Sequence, residues 1–377
     1  MTFIAKRLDL FDSSDFSNAV KRQQELINPV DFSIGIPEEI TAEHIKAAGI
    51  RAINEDRTTY TPSNGILELR QAISEKLKQE NNIFKDPQDI TIVPGLTTGQ
   101  LLVYLAILDP EDEIIVFDPY YPPYAHLASM SGATVIFAST TPTFQPNLDE
   151  IEAAITDKTK AIIVNSPNNP TGAVYPEETL RKIAKIAEQH NILIISDEIY
   201  EHFIYDKKHF SIGSIYPNTI TMNGFSKEFA MTGWRIGYVT GPSDIIKAIN
   251  ELQQYVVMSS SSIAQHAAVA AFQNRPNIID KYRLKRNLVT EYLKESGYEI
   301  HGLQGAFYAF IKAPGDLTDL EFTDRASERG VILVPGRAFS RMHGFVRISY
   351  GIDTKKLLKG LKILNELTHD IRNQKNQ

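Results

Sequence analysis

The chain has 377 residues, more than one hydrophobic core usually serves, so two unequal domains are expected. With 42% hydrophobic and 23% charged residues it reads as a soluble globular protein, and a net charge of -7 argues against a nucleic-acid surface while leaving small anions open to local recognition. The absence of cysteine excludes a disulfide framework and thiolate chemistry, and it fits a reducing compartment.

The opening MTFIAKRLDLFDSSDF gains acids before any long apolar run, so it does not read as a secretory signal and a cytoplasmic location is expected. The run DFSIGI, ending at Pro37, has strand character, and a helical period follows through His44, Ile45, Ala48 and Ala52. A loop, TTYTPSNGI (58–66), then leads into the helical segment ELRQAISEKLKQE. Short apolar strands are expected at 90–93, 113–117, 134–137, 161–165, 193–197, 219–223 and 236–240, with helical periods between most of them. That alternation implies a mostly parallel sheet covered on both faces, a doubly wound α/β arrangement. After Pro176 the helix signal is strong: Glu177 and Glu178 open the first turn, and Leu180, Ile183, Ala184 and Ala187 share one face.

The longest uncharged stretch, 252–274, is broken by Gln253, Gln254, Ser259 to Ser262, Gln265 and His266, so it reads as a buried helix or helix pair rather than a membrane span. From about Pro276 the rhythm changes to a long charged helix (278–296), the segment YEIHGLQGAFYAFIKA, a helix at 323–328, the strands VILVPG and FVRISY, and a last amphipathic helix. The expected division is a segment 1–40 that joins the small domain, a large domain 41–275 and a small α+β domain 276–377.

Ligands in open α/β sheets sit beyond the carboxyl ends of strands. Three segments end a strand there with suggestive groups. In ITIVPGLTTGQLL, Gly95, Leu96 and Thr97 open a helix whose free N–H groups suit a phosphate, although an ordinary strand-to-helix turn looks the same. AIIVNSPNNPTG leaves its strand through Asn169, which a plain polar turn also explains. ILIISDEIY ends on Asp197 and Tyr200, where a helix N-cap is the bland reading. The nine histidines lack paired spacing, and with no cysteine there is no metal framework to propose.

Taken in order, YTPSNGI, SPNNPTG, DEIY, SKEFAMTGWRIGY (226–238) and VRISYG resemble the motif series of the fold-type I pyridoxal-phosphate aminotransferases, in the branch with bacterial aspartate and aromatic enzymes. The resemblance runs from about residue 31 to 351. It implies a large domain with a mostly parallel seven-stranded sheet plus a smaller α+β domain, pyridoxal 5'-phosphate as cofactor, and transfer of an amino group between an L-amino acid and a 2-oxo acid such as 2-oxoglutarate.

Carried over residue by residue, Lys227 matches the lysine that bonds the cofactor aldehyde and, once freed, moves the substrate α-proton. Asp197 matches the carboxylate facing the pyridine nitrogen, and Asn169 and Tyr200 the pair that tunes the 3'-oxygen. Phosphate contacts are implied for Gly95, Leu96, Thr97, Ser226 and Arg235, with Tyr60 reaching across a homodimer. Tyr121 in DPYYPPY matches the ring that stacks on the cofactor; neighbouring Tyr120 and Tyr124 and a plain core role stay open. Arg347 matches the fork for the substrate α-carboxylate, assisted by the Gly35 backbone and Asn169. The chain departs from the pattern at Gly224, where a hydroxyl is common, and at Thr97 and Thr98, where aspartate enzymes often carry a lysine. A β-lyase of the same fold remains the alternative, with a cofactor-binding regulatory domain more remote, since no room exists for a DNA-binding domain before Asp31.

Overall fold

A computed structural model describes residues 3–5, 8 and 25–375. The first part of the chain runs through β1 (Val30–Asp31), α1 (Glu43–Asn54), α2 (Leu67–Lys76), β2 (Ile90–Val93), α3 (Leu96–Ile107), β3 (Glu113–Asp118), α4 (Pro123–Met130) and β4 (Thr134–Ser139). It continues with α5 (Leu148–Ala154), β5 (Thr159–Asn165), α6 (Glu177–Gln189), β6 (Leu193–Asp197), β7 (Thr219–Gly224), β8 (Gly237–Thr240), α7 (Ser243–Val256) and α8 (Ser262–Ala271). The last third holds α9 (Ile279–Glu295), β9 (Tyr308–Lys312), α10 (Asp319–Glu328), β10 (Val331–Ile332), β11 (Val334–Pro335), β12 (Phe345–Ser349) and α11 (Thr354–Lys375).

The seven strands expected for the large sheet all form, in the order β2-β8-β7-β6-β5-β3-β4. Strands β3 to β7 pair in parallel, and β8 runs antiparallel to both its neighbours. Period-two alternation divides the side chains between two cores: Ile115, Phe117, Ile162, Val164 and Ile194 pack with α6, whereas Ile114, Val116, Ala161, Ile163 and Ile195 pack with α3 and α7. Both faces are covered, which is why these strands read as continuous apolar runs. The chain goes outward from β3 to the edge strand β4 and returns to β5 on the other side. A crevice therefore opens between the carboxyl ends of β3 and β5, the place where such sheets bind ligands.

The smaller α+β domain is built on an antiparallel sheet, β11-β12-β9, backed by α9, α10 and α11 around a core that includes Phe307, Phe322, Ile348 and Leu361. β1 pairs in parallel with β10, Val30 opposite Val331, and so ties the early chain to this sheet.

Three expectations need correction. DFSIGI is not a strand throughout: pairing stops at Asp31, although Phe32 still bonds to Ile332 and Ser349 backbone atoms, because the chain beyond turns its carbonyls toward the crevice. VILVPG is two short strands, one paired with β1 and the other with β12, since a single register cannot serve two sheets. The helix expected at 323–328 begins at Asp319, where Thr318 and Glu321 form a reciprocal capping box. The uncharged stretch 252–274 resolves into a helix pair, the end of α7 and all of α8.

Candidate active site

Beyond the carboxyl ends of β3, β5, β6 and β7 lies a cavity of about 410 Å³, closed on its far side by residues of β9 and β12. Gly35, Leu96, Thr97, Tyr121, Asn169, Asp197, Tyr200, Ser226, Lys227, Arg235 and Arg347 line it together. These residues come from stretches as far apart in sequence as Gly35 and Arg347, so their convergence is a property of the fold.

β6 ends in the buried Asp197, whose Oδ2 accepts from the Tyr124 hydroxyl at 2.7 Å and whose Oδ1 accepts from the Ile199 amide at 3.2 Å. Burial pushes this carboxyl up to about 6, with the Tyr124 bond opposing the shift. The Lys227 ammonium in the same cavity opposes the shift too, but among the described residues no cation lies within ion-pair distance of this carboxylate, so it has room for one. Behind the strand, Asn165 donates to the Asp197 carbonyl and accepts from the Asn169 amide, so the end of β5 braces both residues. Deeper still, Glu201 pairs with the buried Lys76 and accepts from Asn223 and Asn81, a polar network that leaves few ways for this loop to shift.

Lys227 follows β7, and its Nζ donates to the Gly35 carbonyl at 2.6 Å. Withdrawal from water brings the ammonium down to about 8; Arg347 and Arg235 push the same way and Asp197 resists. A lysine near that value is partly neutral at physiological pH and can act as nucleophile and base.

The loop before α3 forms a cradle. Gly95 sits at φ 83, and no side chain caps the helix that starts at Leu96. A β-carbon on Gly95 would lie 2.2 Å from an Arg235 guanidinium nitrogen, so glycine is what brings the helix N-terminus and Arg235 together. Arg235 itself has φ 52, a left-handed conformation unusual for a non-glycine residue. At Gly224, a side chain would come within 2.9 Å of the Gly237 Cα on the neighbouring strand, which is the physical reason no hydroxyl residue occupies it.

On the opposite wall Arg347 is buried, held between the Tyr308 and Phe339 rings at 4.8 and 4.4 Å. Its Nη1 donates to Asn169 Oδ1 at 3.1 Å and its Nη2 to the Ser33 carbonyl, while its Nε has no partner. Among the described residues no carboxylate lies within ion-pair distance of it. A buried guanidinium without an anion is a receptor for one.

Tyr121 and Tyr124 both line the cavity and pack edge-on against each other at 5.5 Å, whereas Tyr120 packs on Phe137. Tyr60 is not brought to the cavity of its own chain and is 81% exposed. Two further residues emerge: Tyr124, seen in the sequence only as a neighbouring ring, and Tyr308, whose hydroxyl lies 2.8 Å from that of Tyr200. A buried tyrosine in a strand gives no signal beyond core packing.

The model of the family described as aminotransferase class I and II matches residues 27–364. The chain belongs to that family. It is 40% identical to a probable aspartate/prephenate aminotransferase of Thermus aquaticus over 92% of this chain and 93% of that one. It is 36% identical to aromatic-amino-acid aminotransferase 2 of Thermococcus litoralis, over 96% and 98%. Among solved structures, Thermus thermophilus aspartate aminotransferase with maleate superposes with a TM-score of 0.90 at 36% identity, covering 97% of this chain and all of that one. Aminotransferases of this class depend on pyridoxal 5'-phosphate, and the residues present here fit that cofactor. The glycine-and-arginine cradle suits its phosphate, the buried Asp197 its ring nitrogen and the depressed Lys227 its aldehyde.

Proposed function

We propose that this aminotransferase exchanges amino groups between an L-amino acid, aspartate or an aromatic one, and a 2-oxo acid such as 2-oxoglutarate. The observation that carries the reading is the buried, anion-free Arg347 sharing one cavity with the depressed amine of Lys227. When bound, the cofactor supplies an electrophilic aldehyde and a cationic ring that withdraws electrons from the substrate α-carbon. The protein's residues do the rest.

Arg347 takes the substrate α-carboxylate in a two-pronged grip, with Asn169 and the Gly35 backbone beside it, and this fixes which bond at the α-carbon faces Lys227. Lys227, poised near neutrality, would take the proton from the substrate α-carbon and hand it to the carbon of the cofactor's aldehyde group. Asp197, kept ionised by Tyr124, holds the ring nitrogen protonated; Tyr200 and Asn169 hold the ring oxygen, and Tyr121 covers the ring face. Gly95, Leu96 and Thr97 amides, Ser226 and Arg235 take the phosphate, together with Tyr60 of the partner subunit in a homodimer. The unit boundaries at 40 and 275 and a cytoplasmic location belong to the same proposal. Relatives named for aspartate and for aromatic amino acids support the substrate class.

The test is a panel of twenty amino acids against 2-oxoglutarate, pyruvate and oxaloacetate, with products quantified. Glutamate appearing in step with a new 2-oxo acid is the expected result; ammonia and pyruvate without glutamate identify an eliminating lyase instead. Lys227→Ala is expected to abolish the visible band of bound cofactor and to lower kcat by roughly a thousandfold or more. Retention of band and turnover overturns the assignment.

A further inference from the structure

We infer that Tyr308 is a positioning residue that couples the two walls of the site, its hydroxyl orienting Tyr200 and its ring supporting Arg347. This rests on the roles proposed above for Tyr200 and Arg347.

Tyr308 opens β9 and is 1% exposed. In the antiparallel register Arg347 lies opposite Phe310 and Ser349 opposite Tyr308, so Tyr308 is the diagonal neighbour of Arg347 on the same face of the small sheet. Its ring covers the guanidinium at 4.8 Å, fixing the plane in which that fork can turn. The hydroxyl leaves the small sheet and meets Tyr200, which belongs to the loop after β6, at 2.8 Å; the two rings stand at 86° with centroids 5.6 Å apart. One phenol thus joins the strand that holds substrate to the loop that holds cofactor.

Gly35 shows how closely this arrangement is fitted. A β-carbon there would lie 2.4 Å from the Tyr308 oxygen, so the glycine makes room for the hydroxyl. The carbonyl of that same glycine accepts from Lys227 Nζ.

Each phenol carries one proton. If Tyr200 donates its proton into the cavity, toward the cofactor oxygen, its own lone pair must accept from Tyr308. A phenol that accepts a hydrogen bond donates a stronger one. Tyr308 therefore strengthens the hold of Tyr200 on an oxyanion without touching it. The charged and titratable groups facing the pair are Lys227, 5.8 Å over the Tyr200 ring, with Arg347, Asp197 and Tyr121; Phe203 and Phe307 close the remaining side.

Two substitutions separate the roles. Tyr308→Phe keeps the ring and removes the hydroxyl; Tyr308→Leu removes both. In holoenzyme, the pH midpoint of the visible cofactor band is expected to rise by about 0.5 to 1 unit in Tyr308→Phe, because the oxyanion side of the equilibrium loses support. kcat is expected to fall several-fold with KM for the amino acid nearly unchanged. Tyr308→Leu is expected to add a rise in KM of about tenfold, since the guanidinium loses one of its two flanking rings. Should Tyr308→Leu fail to fold, as judged by circular dichroism of the cofactor-free protein, the isosteric Tyr308→Phe decides alone. A wild-type midpoint and wild-type kcat in Tyr308→Phe overturn the inference. Tyr200→Phe is the control: if it shifts the midpoint while Tyr308→Phe does not, only the Tyr308 inference fails. If neither shifts it, the reading of Tyr200 falls and takes this one with it.

Discussion

At the scale of single residues, the site stores unfavourable burial that ligands relieve. Asp197 is the clearest case, because its folded value of about 6 stands above the ordinary carboxylate value of about 3.9. Between those values the folded protein keeps a proton that the unfolded chain has released, so the stability of cofactor-free protein falls as pH rises through that window and the loss is complete above it. Other carboxylates contribute slopes of the opposite sign; Glu201, held below its usual range by Lys76, is one. The difference between wild type and Asp197→Asn isolates the term. At pH 7.5 the cofactor-free Asn variant is expected to be the more stable by about 1–3 kcal/mol, the gap closing toward pH 4. Equal urea midpoints at both pH values sink the argument. Arg347→Ala is expected to raise KM for the amino acid about a hundredfold or more, with cofactor still bound, because the fork meets substrate rather than cofactor. Loss of cofactor instead means that Arg347 was assigned to the wrong partner. Asp197 stood out in the sequence as the polar end of an apolar strand, whereas Lys227 and Arg347 were visible only through the motif resemblance, since a lone lysine or a lone strand arginine reads as a surface charge. Tyr124 and Tyr308 stood out in neither way, because their hydroxyls find partners 73 and 108 residues away and nothing local distinguishes them from core rings.

At the scale of elements, strands were the legible part and the loops that leave them were not. The large-sheet strands announce themselves as short apolar runs, four to seven residues long and alternating with helical periods, because burial on both faces removes the polar alternation of a half-exposed strand. The segments DFSIGI and VILVPG misled because they are apolar and extended yet divide their hydrogen bonds between sheets, a fact held in the partner strands rather than in themselves. The cradle at the start of α3 illustrates the loops. Its glycine was visible, but the reason for it, the guanidinium of Arg235 across the gap, was not. Gly95→Ala forces a side chain into a positive-φ extended conformation (φ 83, ψ 154) that is essentially reserved for glycine, at a cost of about 1–3 kcal/mol, and displaces Arg235 besides. Affinity of the cofactor-free protein for pyridoxal phosphate is expected to fall about tenfold or more, measured by fluorescence titration. Unchanged affinity means that the loop is not the phosphate cradle.

At the scale of the whole molecule, the site described within one chain has a wet end. Arg235 reaches solvent beside the cradle, and large apolar side chains stand exposed elsewhere on the large domain, among them Ile50 at 56%, Tyr60 at 81% and Tyr255 at 89%. Among the described residues no helix is long and apolar enough to cross a membrane. In the homodimer proposed above, the second copy would bring its own Tyr60 to the phosphate end. Sequence could show Tyr60 only by resemblance, because a contact between subunits leaves no period in either. Mixed dimers decide it. Tyr60→Ala and Lys227→Ala subunits are each expected to be deficient as homodimers. If Tyr60 acts across the interface, the hybrid has one complete site: the Tyr60→Ala subunit supplies the lysine, and the Lys227→Ala subunit supplies the tyrosine. Random reassociation then restores up to about a quarter of wild-type activity, since half the dimers are hybrids with one good site of two. If Tyr60 acts within its own chain, no site in the hybrid has both groups, and mixing leaves activity at the average of the two parents.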